Sequence, residues 1–243
     1  MEKYNTISFE KGLQQLDLEL SPKQIDQFLK FYELLIEWNK VMNLTGITEF
    51  EEVISKHFLD SMLLVKAYDM SKVKSIIDVG TGAGFPGIPL KIAFPQIKFV
   101  LMDSLGKRIK FLQQVVDNLQ LDGIELVHSR AEDLAKNKEY RENFDLAVSR
   151  AVANLSSLSE YCIPFVRIGG AFVPYKSDSA MIQEEVSAAT KAIGILGGEL
   201  KECKEVLLPD TEIKRSFIMI DKKKSTKKQF PRKAGMPTKE PLA

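Results

Sequence analysis

The chain has 243 residues, one or two domains at about 150 residues each, and is 44% hydrophobic and 28% charged, a balance that builds a substantial core. No run reaches the roughly 18 apolar residues of a membrane-spanning helix, and the opening MEKYNTISFEKGLQQ has no secretory apolar region. The only cysteines, Cys162 and Cys203, and the only histidines, His57 and His128, are scattered, which excludes a disulfide framework and a clustered metal site; a reduced, cytoplasmic setting without membrane contact is expected. The net charge of +1 is unevenly spread. From Lys214 onward the chain carries +8, and the rest carries −7, so an anionic partner is expected to meet mainly the C-terminal segment.

The first seventy residues predict a small helical cap. Ser21-Pro22 with Gln24 reads as a capping box, followed by Ile25, Phe28, Leu29, Tyr32, Leu35 and Ile36 on one helical stripe. Thr48 and Glu51 repeat the capping pattern before Val53, Ile54, Phe58, Met62 and Val65, and NLTGI joins the two helices. From Lys74, the β-rich runs SIIDV, KFVLM, IELVHS, FDLAVS and AFVPYK alternate with helical stretches, which predicts a doubly wound, mostly parallel α/β sheet. A crossover near residues 180–196 leads to ELKECKEVLL and RSFIMI, an antiparallel hairpin turning near Pro209-Asp210. The expected organisation is a cap over residues 1–70, an α/β domain over 71–221 and a basic tail over 222–243. Its stiff FPRKAGMPTKEPL, with Arg232-Lys233, suits a nucleic-acid backbone; the alternative is that it folds back over the sheet and its prolines help shape the pocket.

The strongest local signal is the loop from Asp78 to Gly87, which follows the first strand and enters a helix, where open α/β sheets bind ligands. Gly82, Gly84 and Gly87 fit a dinucleotide fingerprint with Asp103 about 20 residues on. Asp78 with Gly80, Gly82 and Gly84 fits the adenosylmethionine form. Pro86 and Pro89 remove amide donors that a pyrophosphate would need, and the terminal hairpin is unlike the all-parallel dinucleotide sheet, so the second register is favoured.

With these residues on view, the chain resembles the bacterial 16S ribosomal RNA guanine-N7 methyltransferases, the glucose-inhibited division protein B family. The resemblance spans nearly the whole chain: Trp38-Asn39-Lys40 with Asn43-Leu44-Thr45, His57-x-x-Asp60-Ser61, DVGTGAGFPGIPL, Asp103-Ser104 with Lys107-Arg108, Arg130-Ala131-Glu132, SRAVA from Ser149, Lys176 and PRKAGMP. Two departures stand out: Thr81 where serine is common, and Phe230 where tyrosine is usual. The resemblance implies a class I Rossmann-like methyltransferase sheet with a helical cap, S-adenosyl-L-methionine as cofactor, and 16S ribosomal RNA or a small-subunit precursor as partner of a monomeric enzyme.

By this resemblance, Asp78, Gly80, Gly82, Gly84 and Phe85 form the cofactor loop, with the backbone at Gly80 and Phe85 at the methionine end. Asp103 takes the ribose hydroxyls, and Ala131-Glu132 meets the adenine. Arg150, after the fourth strand, is the expected catalytic residue, contacting base edge or cofactor. Asn43, Thr45, His57, Arg130, Lys176, Arg232 and Lys233 are expected on the RNA side, the alternatives being a hydrogen-bonded, partly buried histidine at His57 and plain solvation of Arg130 and Lys176. No Asp-Pro-Pro-aromatic motif of amine methylators and no nucleophilic cysteine occurs at the site; guanine N7 has an in-plane lone pair and no proton to lose, so positioning alone suffices. Competing readings are a methyltransferase of another target, an RNA-binding assembly protein with a vestigial pocket, and a nicotinamide dehydrogenase.

Overall fold

Seven strands form one sheet in the order β3-β2-β1-β4-β5-β7-β6, in a computed structural model that describes residues 4–150, 152–177 and 181–242. They are β1 (Ser75–Val79), β2 (Lys98–Asp103), β3 (Ile124–His128), β4 (Phe144–Arg150), β5 (Val166–Ser177), β6 (Gly198–Leu207) and β7 (Lys214–Lys222). The first five pair in parallel. β7 runs antiparallel to both β5 and β6, so the expected hairpin closes the sheet. Strand order reverses between β1 and β4, which opens a crevice at their carboxyl ends.

Alternation along the central strands divides the core in two. Ile76, Phe99, Leu101, Leu146 and Val148 face one side, packed by the helices Gly87–Ala93 and Gly106–Leu119 and by the N-terminal helices. Ile77, Val79, Val100, Met102 and Ala147 face the other, under the helices Leu155–Cys162 and Ile182–Ile195. Strands covered on both faces need near-continuous apolar sequence, as SIIDV and KFVLM supply.

The N-terminal layer contains α1 (Ile7–Gln15), not foreseen as a separate element, and α2 (Pro22–Met42). The Ser21–Gln24 capping box forms as expected, and Gln24 Nε2 also donates to the Ile92 carbonyl at 2.7 Å. The second capping reading is corrected. The next helical run, over residues 50–67, starts after Glu49 with no side-chain cap, and Glu51 instead accepts from the Ser8 hydroxyl at 2.6 Å. Inside that run, Ile54–Leu59 is a π-turn, a distortion frequent at functional sites.

The cap shares the first core with the sheet. Phe31 packs 5.3 Å from Phe85 and 5.6 Å from Phe58, Trp38 lies 5.9 Å from Phe111, and the buried Gln27 amide donates to the Leu119 carbonyl at 2.7 Å.

The C-terminal stretch, expected as a phosphate-following tail, is folded back against the second core. Phe230 is buried there. The Arg141 guanidinium donates to the carbonyls of Thr226 and Phe230 at 2.7 and 2.9 Å. Lys222 is buried, donating to the Ile163 carbonyl at 3.0 Å and pairing with Glu142 at 3.1 Å; burial pushes its ammonium down to about 8. Apolar anchoring and internal acids therefore hold a segment whose charge alone suggests a solvated tail.

One shared core predicts one cooperative transition. Urea unfolding followed by the fluorescence of Trp38, the only tryptophan, and by far-UV circular dichroism should give coincident curves. Phe31→Ala should cost about 3–5 kcal/mol on both probes together. Separate transitions would show that the cap folds by itself.

Candidate functional site

The loop after β1 is built around Asp78. Its carboxylate is fully buried, and Oδ2 accepts from the Thr81 hydroxyl at 2.6 Å and the Gly87 amide at 2.9 Å. Asp78 thus ties the two ends of the turn together and presents no oxygen to a ligand. Burial pushes this carboxyl up to about 7. Thr81 keeps the hydroxyl that the commoner serine would provide. The glycines of the loop meet two different needs. A Cβ on Gly87 would lie 2.2 Å from Leu101 Cδ2, while Gly82 has φ +63° and faces open space, leaving its backbone bare toward a ligand.

Asp103, buried at the end of β2, supports the loop from the neighbouring strand. Its Oδ2 accepts from the Gly82 amide at 3.0 Å and Arg108 Nη1 at 3.1 Å, and its Oδ1 accepts from the Leu105 amide at 2.9 Å. A cavity of about 340 Å³ opens beside it, lined among others by Gly80, Asp103, Ala131, Glu132, Tyr161 and Thr238. These residues fit an adenosyl ligand: a carboxylate beside bare glycine backbone, and a pocket reaching across the ends of β1, β2 and β3. Glu132, buried, accepts from the Gly235 amide at 2.8 Å, and Arg130 is exposed at the rim.

A second cluster stands where β4 ends beside β1. Ser149 donates to the Val79 carbonyl at 2.7 Å, which fixes the next residue, Arg150, next to the loop. The Arg150 guanidinium lies 5.1 Å from the Phe85 ring centroid and donates to Asp60 Oδ2 at 2.7 Å. Asp60 is fully buried, and its other oxygen accepts from Arg215. His57 stacks on Phe85 with ring centroids 4.5 Å apart; its Nε2 lies 2.8 Å from Thr45 Oγ1 and its Nδ1 3.1 Å from the Lys56 carbonyl. Burial, and then the Arg150 charge, push this imidazole down to about 4. Asn39 clamps Thr45 through both its backbone groups at 2.9 Å.

The structure brings together Gly80, Gly82, Phe85, Asp103, Ala131, Glu132 and Arg150, with Thr45 and His57 on the cap side. Gly84 lies under the loop, where a Cβ would meet Ile88 and Leu112. Asn43 is an exposed left-handed helix cap. Two residues expected on the RNA side are committed internally. Lys176 donates to Glu185 at 2.6 Å and to the Ala153 carbonyl at 3.0 Å, and Arg232 pairs with the buried Glu160 at 2.7 Å. Lys233 stays exposed. Sequence reasoning gave no role to Asp60, although it stands one turn from His57, and missed Arg215, Tyr161, Glu160 and Thr238. Their distance in sequence, up to 155 residues between Asp60 and Arg215, leaves no local signal. Among the described residues, no group of three or more His, Cys, Asp or Glu could hold a metal ion.

A sheet of this order, with a glycine loop after β1 and a cavity at the carboxyl ends of β1, β2 and β3, defines the class of S-adenosylmethionine-dependent methyltransferases. Solved structures with a similar fold include M. jannaschii TYW2 in complex with AdoMet (TM-score 0.54, 10% identity, 73% of this chain and 79% of that one) and the StiE O-MT (TM-score 0.53, 16% identity, 70% and 75%). A family model described as GidB, rRNA small subunit methyltransferase G, matches residues 24–214. Relatives named ribosomal RNA small subunit methyltransferase G are 51% identical in Lachnoclostridium phytofermentans (97% of this chain, 96% of the relative), 47% in Exiguobacterium sibiricum (98% and 99%) and 46% in Clostridium botulinum strain Loch Maree (100% of both). The chain belongs to the rRNA small subunit methyltransferase G family.

Nuclear magnetic resonance of the His57 ring should show it neutral at pH 7 and titrating near 4. The sign follows from linkage. An unfolded chain takes up this proton near 6.5 and the folded one only near 4, so His57 makes stability fall as pH drops between those values. Asp78, raised to about 7, acts oppositely, costing stability as pH rises through the window above its ordinary value. Titration of His57 near 6.5 would contradict its burial against Phe85 and Arg150.

Proposed function

We propose that this enzyme transfers the methyl group of S-adenosylmethionine to N7 of one guanine in 16S ribosomal RNA. The observation that carries this reading is the pairing of the adenosyl cavity with a target-side cluster that holds aromatic and cationic groups but no poised proton acceptor. His57 is a weak base with its pKa near 4, far from the operating range of a general base. Asp60 is tied to two arginines, and Asp78 is sealed under its loop. Methylation of an exocyclic amine requires a proton to leave; attack by N7 does not.

When bound, S-adenosylmethionine supplies an electrophilic methyl on a sulfonium. The N7 lone pair forms the new N–C bond as the C–S bond breaks, which leaves S-adenosylhomocysteine and a cationic guanine ring. The protein's part is orientation, worth several powers of ten when reacting atoms are held in line. The backbone at Gly80 and Phe85 takes the methionine end, Asp103 the ribose hydroxyls and Ala131-Glu132 the adenine. A carboxylate has about four acceptor positions, and on Asp103 the partner able to make way is the half-exposed Arg108. Phe85, His57 and Arg150 offer the target base a ring face and a fixed guanidinium fork. Arg130, Asn43 and Lys233, with Lys224, Lys227 and Lys228 on the outer surface of the C-terminal segment, supply contacts for phosphate. Lys176 and Arg232, being spoken for, drop out of that set.

Incubation of 16S ribosomal RNA from a deletion strain with enzyme and S-adenosylmethionine, followed by nuclease digestion and mass mapping, should place one methyl on N7 of one guanosine. A methyl on an amine or a carbon would overturn the reading. Arg150→Lys should lower turnover by about tenfold or more, because an ammonium loses the planar fork and the contact with Phe85. It keeps a positive charge beside Asp60, so the melting midpoint should move little. Arg150→Ala should destabilise by up to about 3 kcal/mol, since it strips a buried carboxylate of one partner. Unchanged turnover in Arg150→Lys would remove the residue from the site.

A further inference from the structure

The cavity's outer wall does not come from the sheet. Two of its lining residues, Gly235 and Thr238, belong to the C-terminal segment. We propose that this segment is a cofactor-reading element, and that Thr238, together with Tyr161, selects the adenine base of the methyl donor; this rests on the adenosyl reading of the cavity.

The segment is seated by one face of the helix Leu155–Cys162. Glu160 there is fully buried. Its Oε1 accepts from the Arg232 amide at 2.7 Å and from Nε at 3.0 Å, and its Oε2 accepts from Nη2 at 2.7 Å. A sealed carboxylate fully engaged by one residue fixes that residue's backbone as well as its side chain. From this anchor the chain is held three further times. Ser157 donates to the Pro237 carbonyl at 2.7 Å, Gly235 donates to Glu132 at 2.8 Å, and the Tyr161 and Thr238 hydroxyls meet at 2.5 Å.

These contacts converge on one end of the cavity. Ala131 and Glu132 open the short helix after β3 and line the same pocket as Tyr161 and Thr238. The ribose carboxylate Asp103 stands on the neighbouring strand β2, paired beside β3. A purine attached to a ribose held at Asp103 extends toward this end. Two linked hydroxyls can each donate and accept, so the pair can turn to suit the acceptor ring nitrogens and donor amine of adenine. A base with a carbonyl in place of the amine, beside the Glu132 carboxylate, meets an acceptor instead of a donor. The element is thus expected to discriminate by hydrogen-bond pattern, where polar sites discriminate most strongly.

The test is calorimetry without RNA, using S-adenosylhomocysteine and its deaminated analogue S-inosylhomocysteine as probes. Wild type should bind the adenosyl compound more tightly. Thr238→Val, which keeps the side-chain shape, should weaken adenosyl binding by about three- to tenfold and narrow its preference over the inosyl compound. A purely structural role would weaken both equally. Glu160→Gln, which keeps an acceptor but loses the charge, should lower affinity through the anchor, and a chain ending at Lys233 should lose about tenfold or more. Unchanged affinity and unchanged preference in folded Thr238→Val protein would overturn the inference. Failure of the wild type itself to bind S-adenosylhomocysteine would overturn the adenosyl reading beneath it, so the two failures are distinct.

Discussion

A fully buried carboxylate, Asp60, sits between two arginines, and the arrangement of the site depends on it. Taking an isolated carboxylate out of water costs far more than a small domain can offset unless it is paired and hydrogen-bonded. Asp60 is paired twice, with Arg150 at the end of β4 and Arg215 at the start of β7. Three separate parts of the chain therefore meet at one side chain: the cap helix, the topological switch point and the terminal hairpin. Such a cluster contributes little net stability compared with an apolar plug. Its consequence is register: the Arg150 fork has one place to go, over Phe85 and beside His57. Tyr175 reinforces the junction by donating to the Ser61 carbonyl at 2.6 Å. Its own hydroxyl is pushed well above its ordinary range by burial, with Asp60 adding to the effect.

The same economy governs the two acids of the glycine loop. Asp78 spends its hydrogen bonds on the loop itself, and Asp103 braces that loop from the next strand while keeping its carboxylate at the cavity. One acid shapes the turn from within, and the other braces it from the next strand and lines the cavity. The buried Oδ1 of Asp78 has no partner among the described residues, and a carboxyl raised to about 7 places a protonation equilibrium directly beneath the loop.

Much of this was legible in the sequence where the signal is local. The alternation of SIIDV and KFVLM with helical stretches showed the sheet, because strands buried on both faces must be apolar throughout. Ser21 and Gln24 announced their capping box, and the glycine-rich run after SIIDV announced a tight loop, which Asp103 braces through the Gly82 amide. The failures share a cause. Thr48 and Glu51 satisfy a capping pattern, but the chain enters that helix later and Glu51 finds Ser8 instead. Lys222 and Arg232 read as surface cations because their acids, Glu142 and Glu160, lie 80 and 72 residues away. Composition cannot distinguish a wholly solvated tail from a folded segment in which two of the cations, Lys222 and Arg232, meet internal acids. The extent of the cap's packing was equally hidden: Phe31 lies in the core shared with the sheet and Trp38 packs against it.

On the proposed reading Asp60 serves the reaction by fixing Arg150, while the adenosyl cavity is lined by other residues. The most direct measurement is single-turnover methyl transfer by Asp60→Asn at saturating S-adenosylmethionine and RNA, with S-adenosylhomocysteine affinity measured in parallel on folded protein. A misplaced catalytic group costs about a hundredfold in rate, so transfer should slow by about that factor while cofactor affinity stays within about threefold. A folded Asp60→Asn enzyme that transfers at the wild-type rate would contradict the account.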